Sequence, residues 1–170
     1  MVPPPDVGIG SEAPRLTLDR AACQSGRLGR LLRRLLGEAV ASCQAAEGTL
    51  WVPSPNGAAM EGALSVGQTP DILESASVPA GDSVVGLVFS TGVATCIGPG
   101  DPHNPGVDEQ TGLPTRAMAA APVRIGSDTV AVLSVINPTR GGVFSRSDLE
   151  MLEWKAYLTA LVIGEARDES

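Results

Sequence analysis

The sequence predicts an α/β domain, more narrowly α+β, in which helices cover a mostly antiparallel sheet. Three observations lead there. Apolar residues recur at helical spacing near the start, at Leu28, Leu31, Leu32, Leu35, Leu36, Ala39 and Val40. They do so again near the end, at Leu149, Leu152, Ala156, Thr159 and Val162 or Ile163, so each helix carries one apolar stripe. Between them, residues 117 to 125 and 129 to 137 form two unbroken apolar runs around the short turn "GSD", the pattern of a hairpin of strands covered on both faces. The order is helix, two strands, short helices, strand, long loop, two strands, helix, which a sheet faced by helices closes most economically.

The elements follow in chain order. Residues 1 to 15, rich in Pro, Gly and Ser, are expected to be a disordered segment or linker, residues 16 to 166 one domain, and residues 167 to 170 a tail. In the first helix Arg27, Arg30, Arg33 and Arg34 mostly take the polar positions, as a solvated face whose stems cover apolar surface. Gly26 and Gly29 weaken its start. Two strands, about 46 to 53 and 59 to 66, flank "SPNG", where Asn56 and Gly57 tolerate positive φ. Trp51 in the first of these belongs to the core or the sheet surface. A short helical turn is expected at 69 to 75, with Thr69 as its cap and Pro70 at its first position.

The stretch "VPAGDSVVGLVFSTG" reads as a helix from Asp82 or Ser83 to about Ser90, capped by a short polar side chain and ended by Gly92. "VATCI" is a brief strand, and residues 98 to 116 form a polar loop long enough to point to function. Ser147 or Asp148 starts the last helix.

Composition excludes several classes. With 170 residues the chain can bury one real core. Its formal charge of -7, with no basic cluster beyond "RLGRLLRRLL", argues against a nucleic-acid surface. Three cysteines, Cys23, Cys43 and Cys96, lack any Cys-x-x-Cys spacing, and their odd number fits a reducing compartment. With His103 the only histidine, a site of several histidines is ruled out. No run approaches the roughly 20 apolar residues of a membrane span, and the N-terminus has no secretory pattern, so a cytoplasmic protein is expected.

Three segments together resemble the GAF domain family, the small-molecule sensing domains of signalling proteins, in a GAF/PAS-like fold. They are "VPAGDSVVGLVFSTG" at 78 to 92, "DPHNPGVDEQTGLPTRAMAAAPV" at 101 to 123, and "VLSVINPTRGGVFSRSDLEML" at 132 to 152. The resemblance covers about 28 to 165. It implies a central antiparallel sheet of five or six strands, terminal helices on one side, and a ligand pocket on the other side, enclosed by the short helices and the long loop. It also implies a homodimer formed through the terminal helices, whose residues here are Leu28, Leu31, Leu32, Leu35, Leu152 and Ala156. The signal would pass along the last helix to an output domain, which is not among these residues, or to a separate partner.

The candidate ligand residues are Phe89, Cys96, Asp101, Asp108, Thr111, Thr115, Arg116 and Met118. A loop with both Asp and Arg suits an amine or an anion. Some cyclic-nucleotide-binding members carry an Asn-Lys, Phe, Asp-Glu pattern, which Asn137, Phe144 and Asp148 match, while Pro138 and Leu149 replace the Lys and Glu and remove an ion pair. A family branch that reduces free methionine sulfoxide needs a cysteine cluster, and here only Cys96 lies near the expected pocket rim. The bland account makes Cys96 a small buried strand residue. Bilin attachment would want a His after the Cys, where Ile97 stands, and haem would depend on His103 in a polar loop. Asp101, Asp108 and Glu109 lack calcium-loop spacing. No cofactor, no metal and no catalytic set is therefore expected. The competing account is a ligand-free dimerisation scaffold, in which Ala119, Ala120 and Ala121 let sheet and helices approach closely.

Overall fold

A computed structural model describes residues 18–68, 70–101 and 114–169. Helix α1 (Arg20–Gln24) is capped by Asp19, whose carboxylate accepts from the Ala21 N–H, and it turns at once into α2 (Gly26–Ser42). Two glycines make that corner. Gly26 has φ +62°, and a Cβ on Gly29 would sit 2.9 Å from the Cys23 carbonyl oxygen. The residues that weaken a helix in isolation here let two helices touch.

Strands β1 (Ala45–Pro53) and β2 (Ala59–Gly67) form a hairpin whose turn is held by Asn56 Oδ1, which accepts from Ser54 Oγ and the Ala58 N–H. Then come α3 (Pro70–Leu73), β3 (Ser77–Pro79) and α4 (Val84–Thr91). Ser83 caps α4 by accepting from the Gly86 N–H at 3.0 Å, and Gly92 ends it at φ +67°. The short β4 (Thr95–Ile97) precedes the hairpin β5 (Met118–Ile125) and β6 (Asp128–Pro138). Helix α5 (Arg146–Asp168) begins with a capping box in which the Ser145 hydroxyl accepts from the Asp148 N–H and the Asp148 carboxylate accepts from the Ser145 N–H. The cap is thus Ser145, two or three residues before the expected start, and β3 is a strand that no sequence pattern announced. Thr69, the expected cap of the turn before α3, lies outside the described residues.

The six strands lie in the order β3-β2-β1-β6-β5-β4, every pair antiparallel. The hairpin of β5 and β6 does not form the sheet centre by itself: β6 is central with β1 as its other neighbour, and β5 stands one strand from the edge. Helices α2 and α5 cover one face over the main core, which includes Leu32, Leu36, Leu50, Leu133, Val135, Phe144, Leu152 and Ile163. Helix α4 and the segment around α3 cover the other face over a smaller core of Trp51, Met60, Leu73, Val78, Val85, Val88, Ala120 and Val132. Among the described residues, no helix is long and apolar enough to cross a membrane.

Helices α2 and α5 run antiparallel, tied by Lys155 Nζ to Glu38 Oε2 at 3.3 Å and by the Cys43 thiol donating to the Asp148 carbonyl at 3.6 Å. Most of the stripe expected at a dimer interface packs within the chain. Leu32, Leu152 and Ala156 are almost wholly buried within the chain, and Leu28 packs against the same core. Of the expected stripe, Leu31 stays exposed and Leu35 half-buried, and the open surface of α5 carries Met151, Trp154, Tyr157 and Leu161 instead. The Trp154 and Tyr157 rings stack there with centroids 5.5 Å apart.

Candidate functional site

Strand alternation determines which side chains face α3 and α4. Register places Gly67, Glu47, Ile136, Met118 and Ile97 in one row across the sheet. The next row is Ser65, Thr49, Ser134, Ala120 and Thr95, and beyond it come Trp51 and Val132. Trp51, Val132 and Ala120 belong to the smaller core, so these rows form its floor.

The floor has two halves of different character. Around Trp51 it is filled: Val85 and Val88 of α4 close over it, with Met118 and Phe89 packing at its margin. The middle row carries hydroxyls. The Trp51 indole N–H donates to Ser134 Oγ at 2.9 Å, Thr49 Oγ1 and Ser65 Oγ lie 3.2 Å apart, and the Ser65 hydroxyl donates to the Gly48 carbonyl at 2.9 Å. A buried polar group without such partners costs about 1–3 kcal/mol, so this row is a satisfied network that orders the sheet. Ile97, Met118 and Ile136, in the row of Glu47, stay half-buried, an apolar shelf beside that buried carboxylate. Glu47, Thr49, Ser134 and Ile136 share this face with Met118 but were not among the expected ligand residues. The alternation in "AAEGTLWVP" was a signal for the first two, but only the register identifies the face.

Of the predicted ligand residues, Met118 lies on this shelf and Thr115 and Arg116 lead into it. Asp108 and Thr111, with His103, fall outside the described residues. Asp101 closes the turn after β4, its Oδ2 accepting from the Gly98 N–H at 2.7 Å. Phe89 is drawn elsewhere: it also lines an open cleft of about 850 Å³ at the end of the sheet, with Pro53, Asn56, Arg124, Asp128 and Thr129.

Cys96 is on the wrong face. It pairs with Ala119, which lies in the core under α2 and α5, so the pleat directs Thr95 and Ile97 to the shelf and Cys96 away from it. Nor is Cys96 buried, because β4 is an edge strand. Partial burial and the Asp148 carboxylate push its thiol above the ordinary value. Burial likewise pushes Cys43 up to about 11 and Cys23 up to about 12, helped by Asp148 and Asp19 respectively. Raised thiols hold little of the nucleophilic thiolate near neutral pH.

The Asn137, Phe144 and Asp148 set proves to be a structural joint. Asn137 adopts φ 55°; its Oδ1 accepts from the N–H groups of Arg116 at 2.7 Å and Ala117 at 3.3 Å, and its Nδ2 donates to the Pro114 carbonyl at 3.1 Å. This one side chain fastens the exit of the long loop to the end of β6. Phe144 fills the main core. An ion pair does exist here, between Arg140 Nη2 and Asp148 Oδ2 at 2.5 Å, although the expected Lys and Glu are absent. Burial raises the Asp148 carboxyl, but the Ser145 N–H and the Arg140 guanidinium outweigh it and hold the carboxyl below its ordinary value. Among the described residues, no group of three or more His, Cys, Asp or Glu could hold a metal ion.

Comparison with known proteins adds the family. The GAF domain family matches residues 27–163. No curated protein matches. Among solved structures, the chain is similar to the GAF-B domain of DevS from Mycobacterium smegmatis, at TM-score 0.67 and 18% identity over 83% of this chain and 96% of that one. It is also similar to the GAF domain of a phosphoenolpyruvate-protein phosphotransferase from Coxiella burnetii, at 0.67 and 13% over 88% and 90%. A third is the type II free methionine-R-sulfoxide reductase of Thermoplasma acidophilum, at 0.59 and 17% over 79% and 96%. At these identities the likeness is one of fold.

Proposed function

Since this chain belongs to the GAF domain family, we propose that it is a sensory module that takes a small molecule on the shelf of Ile97, Met118 and Ile136 and passes the change to α2 and α5. The observation that carries this reading is the unequal cover of one sheet face. Its Trp51 half is packed by α4, while Ile97, Met118 and Ile136 remain half-buried beside a buried carboxylate and a row of hydroxyls. Apolar walls with a few fixed polar groups are the usual composition of a small-molecule site. The output surface in this reading is the open face of α2 and α5, where Leu31, Met151, Trp154 and Leu161 suit a second copy of the chain.

Thermal melting with a panel of amino acids, nucleotides and amines tests the reading, because a ligand that binds only the folded state raises the melting temperature. A hit should be weakened when Met118→Trp fills the shelf. If no compound shifts the melt and native mass spectrometry finds no co-purified molecule, the sensor reading fails.

The second reading is the ligand-free scaffold, which one observation favours. Ala119 and Ala121 are fully buried toward α5 and Ala120 toward α4, so small residues bring both layers close. Sulfoxide reduction has less support, with Cys96 facing away from the shelf and its thiol raised.

A further inference from the structure

We propose that Glu74 and Arg33 form a clasp around the edge of β2 that couples the segment at α3, on the shelf side of the sheet, to α2 on the opposite side. Strand β3 pairs with β2 only at Ala59, Met60 and Glu61, which leaves the outward backbone groups of Ser65 without a strand partner. Side chains from both sheet faces take them. Glu74 Oε1 accepts from the Ser65 N–H at 3.1 Å, and Arg33 Nη1 donates to the Ser65 carbonyl at 3.2 Å. The same two atoms pair with each other at 2.9 Å. Three contacts therefore close a ring of one strand residue, one residue after α3 and one residue of α2.

Neighbouring contacts reinforce the link. Arg20 of α1 donates to the Glu74 carbonyl, and Gln24 Nε2 donates to the Ala63 carbonyl at 2.9 Å. The segment itself lies tight on the sheet: a Cβ on Gly62 would fall 1.8 Å from the Leu73 carbonyl oxygen, and the Gly62 N–H donates to the Ala76 carbonyl at 2.9 Å. Residues 70–76 thus cannot lift from β2 without drawing Glu74 off Ser65 and off Arg33. Leu73 and Ala76 belong to the smaller core, so a change in that core's packing bears directly on the segment. The pair is partly exposed, with side chains 46% and 21% accessible, so its role is to connect rather than to hold the fold together. The clasp rests on the sensor reading for the signal it carries, but its mechanical part can be tested without any ligand.

The test is hydrogen exchange by mass spectrometry on the full chain, comparing wild type, Arg33→Met, Glu74→Gln and the double variant. Arg33→Met keeps an apolar stem on α2. Each single variant should raise exchange several-fold both in 70–76 and in the first half of α2, and the double should add little to either, the mark of a shared interaction. Faster exchange confined to the element that carries the substitution, or additive effects in the double, overturns the clasp. A uniform rise that includes β1 and β6 also overturns it, because the pair would then contribute only to global stability. A failed ligand screen, by contrast, removes the sensor reading and leaves this result as measured.

Discussion

The Arg116 N–H donates to Asn137 Oδ1 at 2.7 Å, so the long loop returns to the sheet at a point prepared by the last turn of β6. Asn137 is one of two non-glycine residues with positive φ among those described, and it is buried. Its side chain holds three backbone groups that the loop would otherwise leave unpaired. Asn137→Ala keeps the left-handed backbone and loses all three bonds, which should cost about 3 kcal/mol. Asn137→Gly relaxes the backbone and should be roughly 1 kcal/mol less costly. Urea unfolding midpoints check the order; an alanine variant as stable as wild type would remove the joint.

Asp148 sets a pH dependence whose sign follows from its environment. Its carboxyl lies below the ordinary 3.8, because the Ser145 N–H and Arg140 outweigh the effect of burial. A depressed folded-state carboxyl contributes stability that is fully present above the unfolded value and is lost as pH falls through the folded one. Asp148→Asn should therefore be less stable than wild type at about pH 6, and the gap should narrow below about pH 4. Unfolding followed by circular dichroism at both pH values measures it. A gap unchanged by acid would mean that the carboxylate charge contributes nothing.

The three cysteines should separate by access. Cys96 is exposed while Cys23 and Cys43 are buried, and all three thiols are raised. Iodoacetamide on the native protein should label Cys96 alone, at a rate still climbing above pH 9, because a raised thiol is still gaining thiolate there. Peptide mass spectrometry identifies the site. Rapid labelling at pH 7 would show an activated thiol and revive the reductase reading.

Local patterns announced what local physics decides. Ser83 and Gly92 were legible as the ends of α4, since a short polar cap and a left-handed stop act within a few residues. Gly26 and Gly29 were legible as a weak helix start, but their use in the corner depends on α1 packing against α2, which no helical propensity contains. Cys96 was expected near the pocket rim for want of the pairing with Ala119, since one step of register moves a side chain to the other face. The Trp51 bond to Ser134 spans 83 residues, and neither end carries a sign of the other. The antiparallel fold needed only periodicity; the floor of the site needed the register of five strands.

The last prediction sets two residues of α5 against each other. Leu152 and Trp154 are two positions apart, yet Leu152 is fully buried in the core and Trp154 is 55% exposed, stacked on Tyr157. If the chain pairs, the exposed apolar residues Met151, Trp154, Tyr157 and Leu161 of α5, with Leu31 of α2, are expected to seat the second copy in place of the buried Leu152 and Ala156. Leu152→Ala should therefore lower stability by about 2–5 kcal/mol through the cavity it leaves. Trp154→Glu should leave the unfolding midpoint of the isolated protomer almost unchanged, because its side chain supports no core. Sedimentation velocity over a range of concentrations distinguishes the two roles: wild type should associate as concentration rises, and Trp154→Glu should remain monomeric. A wild type that stays monomeric throughout, or a Trp154→Glu variant that still pairs, would exclude this face as the interface.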